Sequence, residues 1–183
     1  RPIDLTINGG VFGGLPNLPT VNRAMFRVGE QVRLQLKNVL VRNADYGVWC
    51  DGFSQARVDL ESVTVVNVLE GGVVANRDCA LTARNLRLEG IFDKALAVAG
   101  RYDLENVQIV ASASRYGALL EFENGAVGKV DGIVMRDNLT RWLAIDCSQL
   151  PRTLRHLDIK HRAPIFSKES NCRLELSTVE VIP

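Results

Sequence analysis

A segment that recurs every 21 to 26 residues is the feature that most constrains the fold of this chain. When the copies are aligned, one position is always apolar, and a second position seven residues earlier is always small or apolar. The apolar position holds Val39, Val63, Leu86, Val107, Ile133, Leu157 and Val179. The earlier position holds Val32, Ala56, Cys79, Gly100, Ala126, Leu150 and Cys172. A unit this short cannot bury its own apolar face, so the copies are expected to stack as the coils of a solenoid.

Each copy has the alternation of a half-buried β-strand. In LQLKNVLVRN (34–43) the apolar residues alternate with polar ones, and the phase flips at Asn38. The equivalent positions hold Asn38, Ser62, Asn85, Asn106 and Gly132. Asn and Gly tolerate a left-handed backbone and Ser suits turns, so a bend is predicted there. A second apolar strand follows some ten residues later, in segments 47–52, 71–77, 94–100, 117–125, 141–148 and 163–168.

These patterns predict an all-β fold, a right-handed parallel β-helix of about seven coils. Residues 1–31 form an incomplete first coil and an excursion loop, and residues 32–183 form the β-helix, in a single domain with the preceding segment. Two residues before the aligned apolar position stand Lys37, Glu61, Arg84, Glu105, Asp131 and Arg155. In stacked coils these would be vertical neighbours of mostly alternating sign.

The chain opens inside a strand and ends without a capping helix. Open solenoid ends normally need caps, so we expect a longer parent chain, a homotrimer, or both. The balance of 22 basic and 21 acidic residues gives no reason to expect nucleic acid as a partner. No apolar run is long enough for a membrane span, so no membrane partner is expected.

The segments LTINGGVF (5–12) and MFRVGEQVRLQLKNVLVRNADYGVWCDG (25–52) resemble the pectin-lyase-like right-handed β-helix superfamily. The resemblance is one of pattern and extends over residues 3–183. It implies a protein that recognises or processes polysaccharide, secreted or displayed on a cell or virion surface, as in tailspikes. The polygalacturonase motifs NTD, DD, GHG and RIK do not occur in the chain. Whether the chain is an enzyme, a polysaccharide lyase or glycoside hydrolase, therefore stays open.

One outward row of the second apolar strand is expected to hold Asp51, Asn76, Ala99, Glu121, Asp146 and Lys168. Glu121 and Asp146 would then lie one strand spacing apart, about 5 Å. Two carboxylates at that distance suit a retaining glycosidase, so this pair is the catalytic candidate. The same oxygens could bind Ca²⁺, and no other cofactor is expected. The alternatives are that both side chains are simply exposed, or that Glu123 fills the row instead.

The substrate-binding candidates are Trp49, Asp51, Asn76, Arg141 and Trp142. Aromatic faces beside carboxylates and amides suit sugar rings, and Tyr46, Phe53 and Tyr116 would extend the same surface. The alternative is packing against a loop or a neighbouring subunit. His156 and His161 lie five residues apart on a strand and would face opposite sides unless the bend intervenes, so no shared metal site is predicted.

The four cysteines form no CxxC pair. Cys79 and Cys172 share one inward position but lie four coils apart, and Cys50 and Cys147 are separated by a similar distance. Neither pair could be bridged, so buried free thiols are expected.

Two functions from different classes therefore remain. The first is a polysaccharide-recognising or polysaccharide-processing β-helix of the pectin-lyase-like type. The second is a non-catalytic structural or adhesive solenoid, such as a tail-fibre or passenger segment. The missing active-site motifs favour the second function, and the clustered aromatic and acidic residues favour the first.

Overall fold

The computed structural model describes residues 3–14, 23–51, 55–114, 117–123, 125–139, 143–147, 152–161, 171–175 and 178–181. Every regular element in these ranges is a β-strand. The strands are β1 (Ile3–Gly13), β2 (Ala24–Val28), β3 (Val32–Cys50), β4 (Ala56–Glu61), β5 (Thr64–Ala75), β6 (Cys79–Ile91), β7 (Lys94–Val98), β8 (Arg101–Val110), β9 (Leu120–Phe122), β10 (Val127–Asn138), β11 (Ile145–Asp146), β12 (Arg152–His161), β13 (Cys172–Glu175) and β14 (Thr178–Val181). Among the described residues no helix is long and apolar enough to cross a membrane.

The strands pair in parallel and in the register that the sequence repeat predicts. Leu34 lies opposite Val58, which lies opposite Leu81 in the next copy. The pairing continues from β6 through β8, β10 and β12 to β13. The result is a parallel β-solenoid of about five turns, which confirms the predicted all-β stacked architecture. Its handedness and the count of seven coils stay predictions.

The core is a column of aligned apolar side chains inside the solenoid. At the aligned apolar position Val39, Val63, Leu86, Val107, Ile133 and Leu157 are all at most 2% exposed. Burying one such side chain contributes about 1.5–3 kcal/mol to folding. The seventh member, Val179, belongs to β14, but its side chain lies outside the described residues.

The predicted bend is a corner at which the backbone has a positive φ. The φ angles are 53° at Asn38, 54° at Ser62, 53° at Asn85, 54° at Asn106 and 77° at Gly132. His156 occupies the same position in the next turn, with a φ of 51°. The Asn38 side-chain amide donates to Asn8 Oδ1 at 3.3 Å, so side-chain amides link neighbouring turns at this corner. The predicted bend is confirmed.

A second corner follows five residues later and was not predicted. Asn43, Asn67, Gly90, Ala111 and Asp137 have φ angles of 53°, 54°, 62°, 47° and 57°. Each full turn therefore contains three short strands. We call the sheets that they build the first, second and third sheets, in chain order.

The predicted charge ladder is confirmed along the first sheet. The register places Lys37 beside Glu61, and Arg84 follows Glu61 in the next turn. The row continues through Glu105, Asp131 and Arg155 to Glu175. Ion pairs join Lys37 to Glu61 at 2.9 Å, Arg84 to Glu105 at 3.1 Å and Arg155 to Glu175 at 2.8 Å. These pairs are exposed, so each contributes little to stability and serves mainly to match the register.

The expectation of free thiols is wrong. Cys50 is disulfide-bonded to Cys79, with Cα atoms 6.2 Å apart, and Cys147 to Cys172, with Cα atoms 5.5 Å apart. The repeat predicts the correct row for each cysteine, but it does not show which rows lie next to each other. Each bond instead joins two rows, from the end of a third-sheet strand to the start of a first-sheet strand. These two rows meet where the chain passes from one turn to the next.

Candidate functional site

The predicted site residues that the structure describes lie together on the outer surface of the third sheet. This sheet consists of β2, the ends of β3 and β5, and β7, β9 and β11. One row of its outer surface contains Arg27, Trp49, Val74, Ala97, Glu121 and Asp146. From Trp49 to Asp146 the row spans four strand spacings, about 19 Å.

Glu121 and Asp146 are paired in register on neighbouring strands, as the sequence predicted. The other predicted members of their row are displaced by two positions. Because Cys50 pairs with Ala75, the residues that follow them, Asp51 and Asn76, belong to the next outward row. The turns differ after the second corner: β5 continues without a break into the third sheet, whereas β8 ends at Val110 and β9 begins only at Leu120.

That next row holds Asp51, Asn76, Ala99 and Glu123. The Asn76 side-chain amide donates to Asp51 Oδ1 at 3.3 Å, which confirms that these two side chains are neighbours. Ala99 is only 6% exposed and offers no polar atom to a ligand. Lys168, which was also expected in this row, lies outside the described residues.

One end of the third sheet carries an aromatic cluster, which we define as Arg27, Tyr46, Trp49, Asp51 and Asn76. The rings of Tyr46 and Trp49 stack with centroids 4.9 Å apart and planes inclined by 30°. The Arg27 guanidinium lies 4.9 Å from the Trp49 ring centroid and forms an ion pair with Asp51. Trp49 and Tyr46 are half-buried, so each ring is held by neighbours while part of it faces solvent.

The Tyr46 phenol stays protonated at neutral pH. Burial raises its pKa above the usual value of 10.0, and the carboxylates of Glu70, Asp93 and Asp45 raise it further. A neutral phenol can donate a hydrogen bond as well as accept one. The aromatic cluster therefore offers ring faces, a hydroxyl, a guanidinium, a carboxylate and an amide within one small area.

The other end of the sheet carries a charged cluster, which we define as Lys94, Glu121, Glu123 and Asp146. Lys94 Nζ lies 2.5 Å from Glu121 Oε2 and 3.8 Å from Glu123 Oε1. Burial alone would lower the pKa of Lys94, but the hydrogen bond and negative charge of Glu121, together with Glu123, raise it above 10.5. The ammonium therefore stays charged, and Glu121 is engaged in an ion pair.

Small side chains separate the two clusters. Gly71, Val74 and Ala97 occupy the outer positions between them. A Cβ atom on Gly71 would lie 2.9 Å from the Tyr46 ring and 2.7 Å from Val74, so glycine is needed for this packing. Gly71 and Ala97 are themselves buried, so of these three residues only Val74 is partly exposed between the clusters.

Two predicted substrate-binding residues, Arg141 and Trp142, lie outside the described residues, as do Phe53 and Tyr116. Arg27 and Lys94 were not among the predicted site residues, although each forms an ion pair within one of the two clusters. Lys94 is the first residue of the predicted strand segment 94–100. The apolar pattern of that segment predicts the strand but gives no role to the Lys94 charge. Arg27 precedes the first full copy of the repeat, and no pattern placed it beside Trp49.

The outer surface of the first sheet has two shallow grooves, of about 660 and 390 Å³. The charges in these grooves largely neutralise one another. Asp59 accepts hydrogen bonds from Arg57 at 2.9 Å and Arg33 at 3.0 Å. Partial burial alone would raise the pKa of Asp59, but these two arginines lower it below 3.8. The charged side chains of this surface are therefore mostly engaged with one another.

No group of three or more histidine, cysteine, aspartate or glutamate side chains arranged to hold a metal ion occurs in the described ranges. Comparison of the chain with protein-family models, with curated proteins and with solved structures finds no match. The assignment of a parallel β-solenoid therefore rests on the strand pairing within this chain.

Proposed function

We propose that this chain is a polysaccharide-binding β-solenoid of the pectin-lyase-like type, right-handed and of seven coils, whose ligand lies along the third sheet. The observation that carries the proposal is the stack of Tyr46 and Trp49 under Arg27, in line with the charged cluster. Partly exposed aromatic faces beside hydrogen-bonding groups are the combination that sugar rings need, because a sugar ring has an apolar face and a polar edge.

The dimensions of the surface favour an extended glycan over a single sugar. The aromatic and charged clusters are separated along the solenoid axis. The residues between them have short, uncharged side chains or none. Successive strands are about 4.8 Å apart, which is close to the advance of an extended glycan per sugar residue. One sugar on the aromatic cluster would therefore place later sugars near Lys94 and Glu121.

We propose binding without catalysis. A retaining glycosidase needs one carboxylate as nucleophile and a second that donates a proton. Glu121 is instead ion-paired to Lys94, at 2.5 Å, and the Lys94 ammonium keeps its proton because its pKa is raised. This arrangement suits hydrogen bonding to sugar hydroxyls. The proposal is contradicted if the parent protein cleaves a polysaccharide and the double variant Glu121→Gln with Asp146→Asn does not. The protein would then be an enzyme that uses these two carboxylates.

The two disulfides support a location outside the cell or on a cell or virion surface. Disulfides persist in oxidising compartments and are rare in the cytosol. Cys50 and Cys79 are at most 1% exposed, so their bond belongs to the core rather than to a surface redox site.

The experiment is a binding and turnover screen on neutral and acidic polysaccharides, with and without Ca²⁺. The proposal predicts saturable binding of at least one polysaccharide, with affinity reduced at least tenfold in Trp49→Ala. The matched control is Leu40→Ala, because Leu40 is half-buried like Trp49 but lies on the second sheet. This variant should bind the polysaccharide as tightly as the parent protein does. If no polysaccharide binds, or if Trp49→Ala binds as well as the parent, the proposed binding face is wrong.

A second candidate function, a structural or adhesive solenoid, is favoured by exposed apolar side chains. Leu69, Phe92 and Leu139 are 56%, 48% and 63% exposed, and all three lie on the connection from the second to the third sheet. Ile3 and Leu5, on the terminal strand β1, are 64% and 48% exposed. Exposed apolar rows mark contact surfaces. A homotrimer in sedimentation equilibrium that dissociates in Phe92→Ser would support this function, and a stable monomer would contradict it.

A further inference from the structure

A separate pocket lies at the corner where the chain passes from the third sheet back to the first. It measures about 420 Å³. Its charged lining residues are Arg57, Arg77, Arg101 and Asp78, and Ala80 lies among them. Three of these residues are arginines and only one is acidic, so the pocket is predominantly cationic, although the whole chain is nearly neutral.

The strand register explains how the arginines surround one open space. Arg57, Ala80 and Arg101 occupy the same row in three successive turns. Ala80 leaves a gap in that row, and the two arginines flank it from positions about 10 Å apart along the axis. Arg77 reaches the same space from the turn that precedes β6.

Two of the three guanidinium groups form no ion pair with any carboxylate of the described residues. Arg57 forms an ion pair with Asp59 at 2.9 Å. Arg77 and Arg101 are exposed, and neither forms a salt bridge with any described residue. Elsewhere on the first sheet the arginines Arg33, Arg84 and Arg155 are each paired with a carboxylate. Arg77 and Arg101 thus differ from these three arginines in having no carboxylate partner among the described residues.

The turn that carries Arg77 is held rigidly. The Cys50–Cys79 disulfide closes it on the core side, and the Cys79 amide donates to the Asn76 carbonyl at 3.0 Å. Gly100 packs against its carbonyl groups so closely that a Cβ atom there would lie 2.6 Å from the Arg77 oxygen. A rigid turn lowers the entropic cost of presenting Arg77 to a ligand.

From these observations we infer that Arg57, Arg77 and Arg101 form a binding site for an oxyanion, a sulfate or carboxylate group. Guanidinium groups bind such anions through paired, charge-assisted hydrogen bonds. The inference goes beyond the proposed glycan-binding face, because it uses different residues at a different part of the molecule. The oxyanion is either free in solution or a substituent of a glycan.

The test is a titration with inorganic sulfate that is monitored by backbone amide NMR. Chloride keeps the ionic strength constant throughout the titration. The expected result is saturable shifts confined to residues 55–57, 77–80 and 101. Arg77→Gln and Arg101→Gln should each weaken the affinity about tenfold, because each removes a hydrogen bond between charged groups. Arg42→Gln removes the same charge from an exposed position on the second sheet and should change the affinity less than twofold.

The inference is overturned if sulfate produces no saturable shift, or if Arg42→Gln weakens binding as much as Arg77→Gln does. A sulfated oligosaccharide that competes with inorganic sulfate and binds more tightly would assign the site to a glycan-borne group. Equal affinity for the two would assign it to the free anion, and either result supports the site. Trp49→Ala should leave sulfate binding unchanged, so failure of the glycan-binding face and failure of this site are distinguishable.

Discussion

At the scale of single residues, the corners show how the sequence specifies this backbone. Left-handed φ angles cost least for Gly and Asn, and most corner positions hold one of these residues. Ala111 is an exception, because it adopts a φ of 47° with no side-chain group to compensate. It is exposed, so its methyl group contributes little to packing.

Ala111→Gly is therefore expected to stabilise the protein by about 1 kcal/mol, since the strain at the Cβ atom is removed. The measurement is the free energy of unfolding from urea denaturation. Ala80→Gly, on strand β6, is the matched control and should destabilise the protein by about 0.5–1 kcal/mol. If both substitutions destabilise the protein equally, Ala111 is not strained.

Asp59 allows a second test at the residue scale. Its folded-state pKa is lowered by Arg57 and Arg33, so its ionised form contributes stability above pH 3.8, the usual value for the carboxyl group. This contribution is lost as the pH falls through the lower pKa of the folded state. Asp59→Asn should consequently be less stable than the parent at pH 7, and the difference should disappear in strong acid.

The measurement is the melting temperature of both proteins from pH 7 down to pH 2. Glu61→Gln, in which the lost ion pair is exposed on both sides, is the control and should show a smaller effect at pH 7. A stability difference for Asp59→Asn that stays constant over this pH range would contradict the assigned ion pairs.

At the scale of the strands and turns, the sequence predicted most of the first sheet and less of the third. The first sheet follows one alternating pattern with a marked bend, so the register of Val39, Val63 and Leu86 could be read directly. The third sheet lies beyond a second corner, and the connections after this corner differ in length between turns. As a result, Asp51 lies in the row of Glu123 and not in the predicted row of Glu121. The lengths of such connections depend on the buried polar contacts that close them.

One such contact network lies at the second corner around Ser112. The Ser112 amide donates to Asn138 Oδ1 at 2.9 Å, and the Asn138 side-chain amide donates to the Ile109 carbonyl at 3.0 Å. The Ile91 amide donates to Ser112 Oγ at 3.1 Å. Side chains thus replace backbone ladder bonds where the strand is interrupted, which no period in the sequence reveals.

The disulfides are the second feature that could not be read from the repeat, because each joins two different rows. Closing a loop of 29 residues, the Cys50–Cys79 bond is expected to contribute about 3–4 kcal/mol. Cys50 and Cys79 are at most 1% exposed, whereas Cys172 is half-buried. We therefore predict that a mild reductant breaks the Cys147–Cys172 bond first, while the protein is still folded.

Mass spectrometry after timed alkylation in increasing dithiothreitol measures the order of reduction. The prediction is modification of Cys147 and Cys172 at a lower reductant concentration than Cys50 and Cys79, followed by a fall in melting temperature when the second bond breaks. Simultaneous reduction of both bonds would contradict the difference in burial.

At the scale of the whole molecule, the solenoid is a rigid frame with two outer surfaces of different character. The first sheet carries charges that are mostly paired with one another, and the third sheet carries two clusters separated by small residues. The central claim is that the third sheet binds an extended glycan. The strand pairing places the clusters in one line, although they are far apart in sequence.

The most direct test of that claim is backbone amide NMR of the intact chain, titrated with the tightest-binding oligosaccharide from the screen. The account predicts shifts at residues 46–51, 71–76, 94–98 and 120–123, with little change at the first-sheet residues 32–37 and 56–61. Shifts confined to the first sheet, or spread evenly over the solenoid, would contradict it.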